Sequence, residues 1–188
     1  MRDQGAEGVA FDVAVAAGYD VKKSDTLGMA QRGGSVVAHI RLGKSVAAPL
    51  IARGEANILL AFEKLEAARW VDYLKKGGII VYNDQAVPPL AVGRGEAAYP
   101  DDEQIMLALV QHTLEIYPMN GEALTAALGN PKTLNILMLG ALSMFLPFDP
   151  AAWKEAIARR LPEKVTEVNL TAFDTGRREV IRLMREAA

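Results

Sequence analysis

Residues 57–82 read NILLAFEKLEAARWVDYLKKGGIIVY, and this stretch decides the fold. Asn57 to Phe62 is an unbroken apolar run of the kind found in strands buried on both faces. From Glu63 to Leu74 the period changes, with Leu65, Ala68, Trp70, Val71 and Leu74 giving the broad apolar side of an amphipathic helix. An acidic start, a Lys75-Lys76 end and a Gly77-Gly78 stop suit the helix dipole and cap. Ile79 to Tyr82 is a second buried strand. Strand, helix and strand so close together make a right-handed parallel crossover the economical connection.

Outward from this unit the pattern continues in both directions. Upstream, Ala6 to Ala17 is Ala- and Val-rich and ends at Gly18, as a buried helix with a C-cap glycine does. Tyr19 to Ser24 reads as a short strand, residues 26–34 as a glycine-rich loop, and Ser35 to Leu42 as a strand closed by Gly43-Lys44. Downstream, residues 83–101 form a long loop, Glu103 to Thr113 a helix, and Leu114 to Tyr117 a further strand ending before Pro118. Gly121 to Leu128 is helical and stops at Gly129-Asn130-Pro131. Thr133 to Leu146 is apolar nearly all round, so it is either central to the core or covered by another subunit. Ala151 to Arg160 and Glu163 to Ala187 are polar-faced helices. The expected architecture is α/β: a mainly parallel, Rossmann-like open sheet flanked by helices, with a helical C-terminal segment. One domain is expected over 1–188, its core about 1–146 and its helical segment about 147–188.

Composition narrows the function. Half of the 188 residues are apolar (51%), enough for a packed core. A net charge of −2 argues against a general nucleic-acid or membrane-surface role. There is no cysteine, which removes disulfides, thiolate nucleophiles and cysteine-held zinc or iron–sulfur clusters from this chain. With only His39 and His112, a histidine-built metal site is not expected. The longest uncharged run, Thr133 to Phe148, is 16 residues, shorter than a membrane-spanning helix needs. These features predict a cytoplasmic chain with no catalytic residue of its own.

One segment departs from the average charge. Between Lys22 and Arg53 six basic residues (Lys22, Lys23, Arg32, Arg41, Lys44, Arg53) face a single acidic one, Asp25. They form either a surface for an anionic ligand or acidic partner, or a set of strand-end charges that diverge in space. Within the segment lies Gly28-Met29-Ala30-Gln31-Arg32-Gly33-Gly34-Ser35. The double glycine permits close approach of another chain or ligand, and Arg32 offers a donor fork for a carboxylate or phosphate. Alternatively the segment is a plain turn; its spacing is not that of a dinucleotide fingerprint. Glu63 and Asn83-Asp84 stand at the carboxyl ends of the two buried strands, where open α/β sheets bind ligands, or act as ordinary helix-start and turn residues. His39 reads as structural, and the serines lack a histidine partner for a triad.

The stretch SDTLGMAQRGGSVVAHIR, Ser24 to Arg41, resembles the gamma family of 2-oxoacid:ferredoxin oxidoreductases, above all the small subunits of the indolepyruvate type. The likeness extends through Pro49-Leu50-Ile51, Gly54-Glu55-Ala56, Leu60 to Glu63, Gly77-Gly78, Asn83, Leu128 to Lys132, Leu139-Gly140-Ala141, Asn169, Ala172-Phe173 and Gly176. It implies a subunit of a complex that oxidatively decarboxylates 2-oxoacids to acyl-CoA. Thiamine diphosphate and iron–sulfur clusters would lie on a partner subunit, coenzyme A would be co-substrate, and ferredoxin would take the electrons. Gly28, Met29, Gln31, Arg32, Gly33, Gly34 and Ser35 would then face partner or ligand, with Arg32 meeting an anion. The family opens with an apolar strand and a GxGGQG turn; here only Asp3-Gln4-Gly5 is similar to that turn, so the first strand is expected to be absent. The competing reading is a stand-alone α/β small-ligand-binding or regulatory module using the strand-end crevice.

Overall fold

The structure, a computed structural model, describes residues 6–25 and 36–187. The chain divides into two compact units: Met1–Ile51 with Leu124–Ala188, and Ala52–Ala123.

The continuous unit contains the stretch that decides the fold. Strand β3 (Ala56–Ala61) and strand β4 (Leu74–Asn83) pair in parallel, with helix α2 (Lys64–Trp70) between them, and β5 (Ile116–Met119) adds on the far side of β4, also parallel. The sheet order is β3-β4-β5. One face is covered by α2 and by α4 (Asp102–Val110), which enclose Ala67, Val71, Leu74, Ile80, Tyr82, Ile105 and Leu109. A single helical turn, α3 (Leu90–Gly93), interrupts the expected 83–101 loop.

Two boundaries differ from expectation. The helix expected to run to Leu74 ends at Trp70, followed by a 3-10 turn at Val71–Tyr73. Lys75-Lys76 and Gly77-Gly78 do not end that helix but lie inside β4. Gly77 has φ +70, and its N–H donates to the His112 carbonyl at 3.0 Å, so the strand kinks there. A side chain on Gly78 would collide with Leu74 Cδ1 at 2.7 Å. The glycines shape an irregular strand entry, marked by a register shift between Ala56 and Ile58, and do not serve as a helix stop. The last strand also runs past its expected end, because Pro118 sits on an edge strand where its missing N–H costs no ladder bond.

The discontinuous unit begins with α1 (Ala6–Ala16), stopped as expected at Gly18, with φ +83. Strands β1 (Asp20–Asp25) and β2 (Ala38–Gly43) then form a separate antiparallel pair. Val21, Ile40 and Leu42 point to the core and alternate with Lys22, His39 and Arg41. This unit resumes at Leu124, within α5 (Gly121–Ala127), and continues with α6 (Leu134–Ser143), α7 (Pro150–Arg160) and α8 (Glu163–Glu186). Helix α7 starts as its sequence dictates, with Pro150 in the first turn and the Asp149 side chain accepting from the Ala151 N–H at 2.7 Å. Trp153, Ala156 and Ile157 of α7 join Val9, Val13, Leu139, Phe148 and Phe173 in one core. Each large side chain fully buried there contributes roughly 1.5–3 kcal/mol.

Helix α6, the segment apolar all round, is central to this unit. Ile136 to Ala141 are all buried, and α6 packs along α8 through the stripe Asn169, Ala172, Phe173, Gly176 and Val180. The crossing is backbone to backbone. A methyl on Gly140 would run into the Phe173 carbonyl, and one on Gly176 into the Leu137 carbonyl. No helix among the described residues is long and apolar enough to cross a membrane.

Candidate functional site

Glu63 and Asn83 do come together at the carboxyl ends of β3 and β4, and both are held by the protein's own groups. Glu63 is the extended N-cap residue of α2 (φ −158°, ψ 142°), and its Oε2 accepts from the Glu66 N–H at 2.9 Å. Its Oε1 accepts from the Val87 N–H at 3.2 Å and from the Tyr99 hydroxyl. One carboxylate thus caps a helix and fastens two points of the loop that follows β4. Burial, followed by the bond to Glu63, raises the Tyr99 pKa well above the ordinary tyrosine value, so Tyr99 is a permanent donor here.

Asn83 is wholly buried. Its amide donates to the Phe62 carbonyl at 3.3 Å and to Gln85 Oε1 at 3.2 Å, and its Oδ1 accepts from the Gly121 N–H at 3.0 Å. That ties the end of β3, the loop and the start of α5 to a single side chain. Asp84 lies 3.6 Å from Lys64 Nζ, which also bonds Asp102 at 2.5 Å. The Asp102 bond, with help from Asp84, raises the Lys64 pKa. Buried Tyr82 beneath is pushed to about 12 by desolvation and the charges of Asp84 and Asp102. Glu63, Asn83 and Lys64 are each matched to internal partners, so they act as a rigid frame for the strand ends. The sequence reading found Glu63 and Asn83 but not Tyr99, which lies 36 residues on. The signal was available in Asp101-x-x-Gln104, whose reciprocal capping box fixes α4 and so the residues just before it.

The other expected site residues, Gly28, Met29, Gln31, Arg32, Gly33, Gly34 and Ser35, lie outside the described residues. The flanking hairpin is described. His39 is structural, its Nδ1 accepting from the Ile51 N–H at 3.2 Å. The basic residues of this segment separate in two directions. Lys23 stands 3.7 Å from Glu7, while Lys22 and Arg41 are cross-strand partners on the opposite, exposed face. Arg41 donates to the Leu50 carbonyl at 3.0 Å, and Asp20 accepts from Lys22 at 2.9 Å and from the Val46 N–H at 2.8 Å. Among the described residues no cluster of three His, Asp or Glu stands ready for a metal ion.

Comparison with known proteins gives a consistent result. The family model described as "Pyruvate ferredoxin/flavodoxin oxidoreductase" matches residues 4–179. Indolepyruvate oxidoreductase subunit IorB of Pyrococcus horikoshii is 37% identical over 166 residues, covering 87% of this chain and 82% of the relative. IorB of Archaeoglobus fulgidus is 34% identical over 176 residues, covering 93% and 87%. Among solved structures, the gamma subunit of a keto/oxoacid ferredoxin oxidoreductase from Geobacter sulfurreducens has the same fold. Its TM-score is 0.66 at 19% identity, with 94% of this chain and 90% of that one covered.

Proposed function

The chain belongs to the pyruvate ferredoxin/flavodoxin oxidoreductase family, and we propose that it is the small subunit of an indolepyruvate-type 2-oxoacid:ferredoxin oxidoreductase. The observation that carries this reading is the likeness to IorB subunits along most of both chains. In the complex, a 2-oxoacid loses CO2, its acyl group passes to the thiol of coenzyme A, and the electrons released leave to ferredoxin. Thiamine diphosphate, bound by the partner, would supply the carbanion chemistry, and the partner's iron–sulfur clusters the electron path.

The residues of this chain do not fit either group. It has no cysteine for a cluster and no Gly-Asp-Gly element for thiamine diphosphate, so no chemical step is assigned to it. Its part is to pack on the catalytic subunit and help form the coenzyme A side of the site. In that arrangement Gly28, Met29, Gln31, Arg32, Gly33, Gly34 and Ser35 face partner and ligand, with Arg32 meeting a phosphate or carboxylate. Glu63 and Asn83 serve as the frame that fixes the strand-end loop beside the crevice. The whole chain acts as one functional domain.

The test is reconstitution. The purified chain alone is expected to show no 2-oxoacid oxidation and no thiamine diphosphate binding. Adding the larger subunit should restore reduction of ferredoxin with arylpyruvate and coenzyme A. Arg32→Ala in the complex should raise the apparent KM for coenzyme A or the oxoacid with the fold unchanged. Turnover by the isolated chain would sink the reading.

A further inference from the structure

We propose that the exposed face of the β1–β2 hairpin is a docking surface for an acidic patch on another protein chain; resting on the function proposed above, that partner is the larger subunit of the complex. The hairpin is two-sided. Val21, Ile40 and Leu42 are committed to the core, which leaves the alternate residues facing outward. The register puts Lys22 directly opposite Arg41, a like-charge pair of the kind that weakens a sheet. Lys44 follows just beyond the end of β2.

Lys22 is paired with Asp20, but the charges of Arg41 and Lys44 are not neutralised among the described residues. The one carboxylate described beside them, Asp20, is already occupied by Lys22 and by the Val46 N–H. Arg41 meets only the neutral Leu50 carbonyl, and among the described residues neither Arg41 nor Lys44 meets a carboxylate. Both are exposed, in a chain whose net charge is −2. A positive face of this kind steers an oppositely charged partner toward it.

The geometry favours a protein over a small anion. Arg41 lies within β2 and already holds the Leu50 carbonyl, while Lys44 lies in the bend beyond the strand. Leu50, whose carbonyl Arg41 holds, is 63% exposed, and Val36, just before β2, is 59% exposed. A basic strip flanked by open apolar residues matches an interface, where charge steers approach and apolar contact holds the complex.

The experiment measures binding of the full chain to the purified larger subunit at low and high salt. Arg41→Gln keeps a donor for the Leu50 carbonyl while removing the charge, and it is combined with Lys44→Gln. The double variant is expected to melt as the wild type does, to bind about tenfold more weakly at low salt, and to lose most of its salt dependence. Arg41→Glu should bind more weakly still. Arg178→Gln with Arg185→Gln, on the far end of α8, should bind as wild type does. Wild-type affinity and salt dependence in the Arg41/Lys44 variant would overturn the surface while leaving the subunit reading intact. Failure of the wild type itself to bind would overturn the subunit reading and this surface with it. Unchanged partner binding, with loss of affinity for inorganic phosphate alone, would assign the face to a small anion instead.

Discussion

At the α6–α8 crossing two helices meet through side chains that are absent, Gly140 lying on the Phe173 carbonyl and Gly176 on the Leu137 carbonyl. At the carboxyl ends of β3 and β4 the chain is joined in the opposite way, by hydrogen bonds that converge on Glu63 and Asn83. The first junction tolerates no addition, because close-packed backbone has nowhere to move. The second is weakened by removal, because each deleted group takes away hydrogen bonds made in partly buried surroundings. Substitutions of opposite chemical sense should therefore break the two units.

The largest effect is expected from Gly140→Ala or Gly176→Ala. Either adds one methyl where backbone already stands and should cost about 3 kcal/mol or more, read as a fall in urea midpoint or as insoluble expression. A mild loss would mean that the helices can separate by a fraction of an ångström. Next comes Asn83→Leu, similar in size but without hydrogen-bonding groups. It removes the bonds that Asn83 makes to the Gly121 N–H and the Phe62 carbonyl and should cost about 2–3 kcal/mol. Tyr99→Phe removes only one of the three bonds to Glu63 and should cost about 1–2 kcal/mol. If Asn83→Leu were harmless and Gly140→Ala tolerated, the contrast between the junctions would fail.

The two units also differ in which end of the pH scale threatens them. In the discontinuous unit the Arg160 guanidinium, bonding Asp12 at 2.6 and 2.9 Å, holds that carboxyl below its ordinary value of 3.8. The Val46 N–H, with Lys22, does the same for Asp20. A carboxyl depressed on folding contributes stability that is present above 3.8 and lost as the pH falls through its folded value. In the continuous unit burial pushes Tyr82 and Tyr117 up to about 12, and Lys64 is raised above 10.5. Groups raised on folding contribute stability that is complete below their unfolded values and lost as the pH climbs through the folded ones. Acid should loosen the discontinuous unit first, and base between pH 10 and 12 the continuous one. Amide exchange followed across pH would show this, and a common transition at both extremes would refute it. The smallest effect is expected at Trp153, wholly buried, with an Nε1 that has no hydrogen-bond partner. Trp153→Phe removes that orphaned donor but also leaves unfilled volume, so its net change should stay within about 1 kcal/mol.

These junctions were unequally legible in the sequence. The β3–α2–β4 unit could be read because local period, caps and burial all agree there, from Asn57 to Tyr82. Lys75 to Gly78 were misread because their signal is ambiguous: a Lys-Lys-Gly-Gly run ends a helix in isolation, but here Leu74 pairs with Ala56 and the strand starts early. The antiparallel pairing of β1 with β2 is likewise a tertiary fact, since two short strands around a loop do not declare their partner. For α6 the sequence offered core or subunit interface, and its glycine acquires meaning only beside Gly176. At the candidate site Glu63 and Asn83 were found by their place at strand ends. What they do depends on Tyr99, Val87 and Gly121, which no local pattern links to them.

The order in which the chain is made gives the discontinuous unit a further property. Its first segment ends at Ile51 and its second begins at Leu124, and the Arg160–Asp12 pair spans 148 positions. On a ribosome adding ~5–20 residues per second, α1 and the hairpin would emerge several seconds before the helices that enclose them. During that interval the intervening residues can complete their own sheet, while Val9, Val13 and Val21 wait without a core. Translation speed through residues 52–123 therefore sets how long the apolar face of α1 stays open to chaperones and to misassociation.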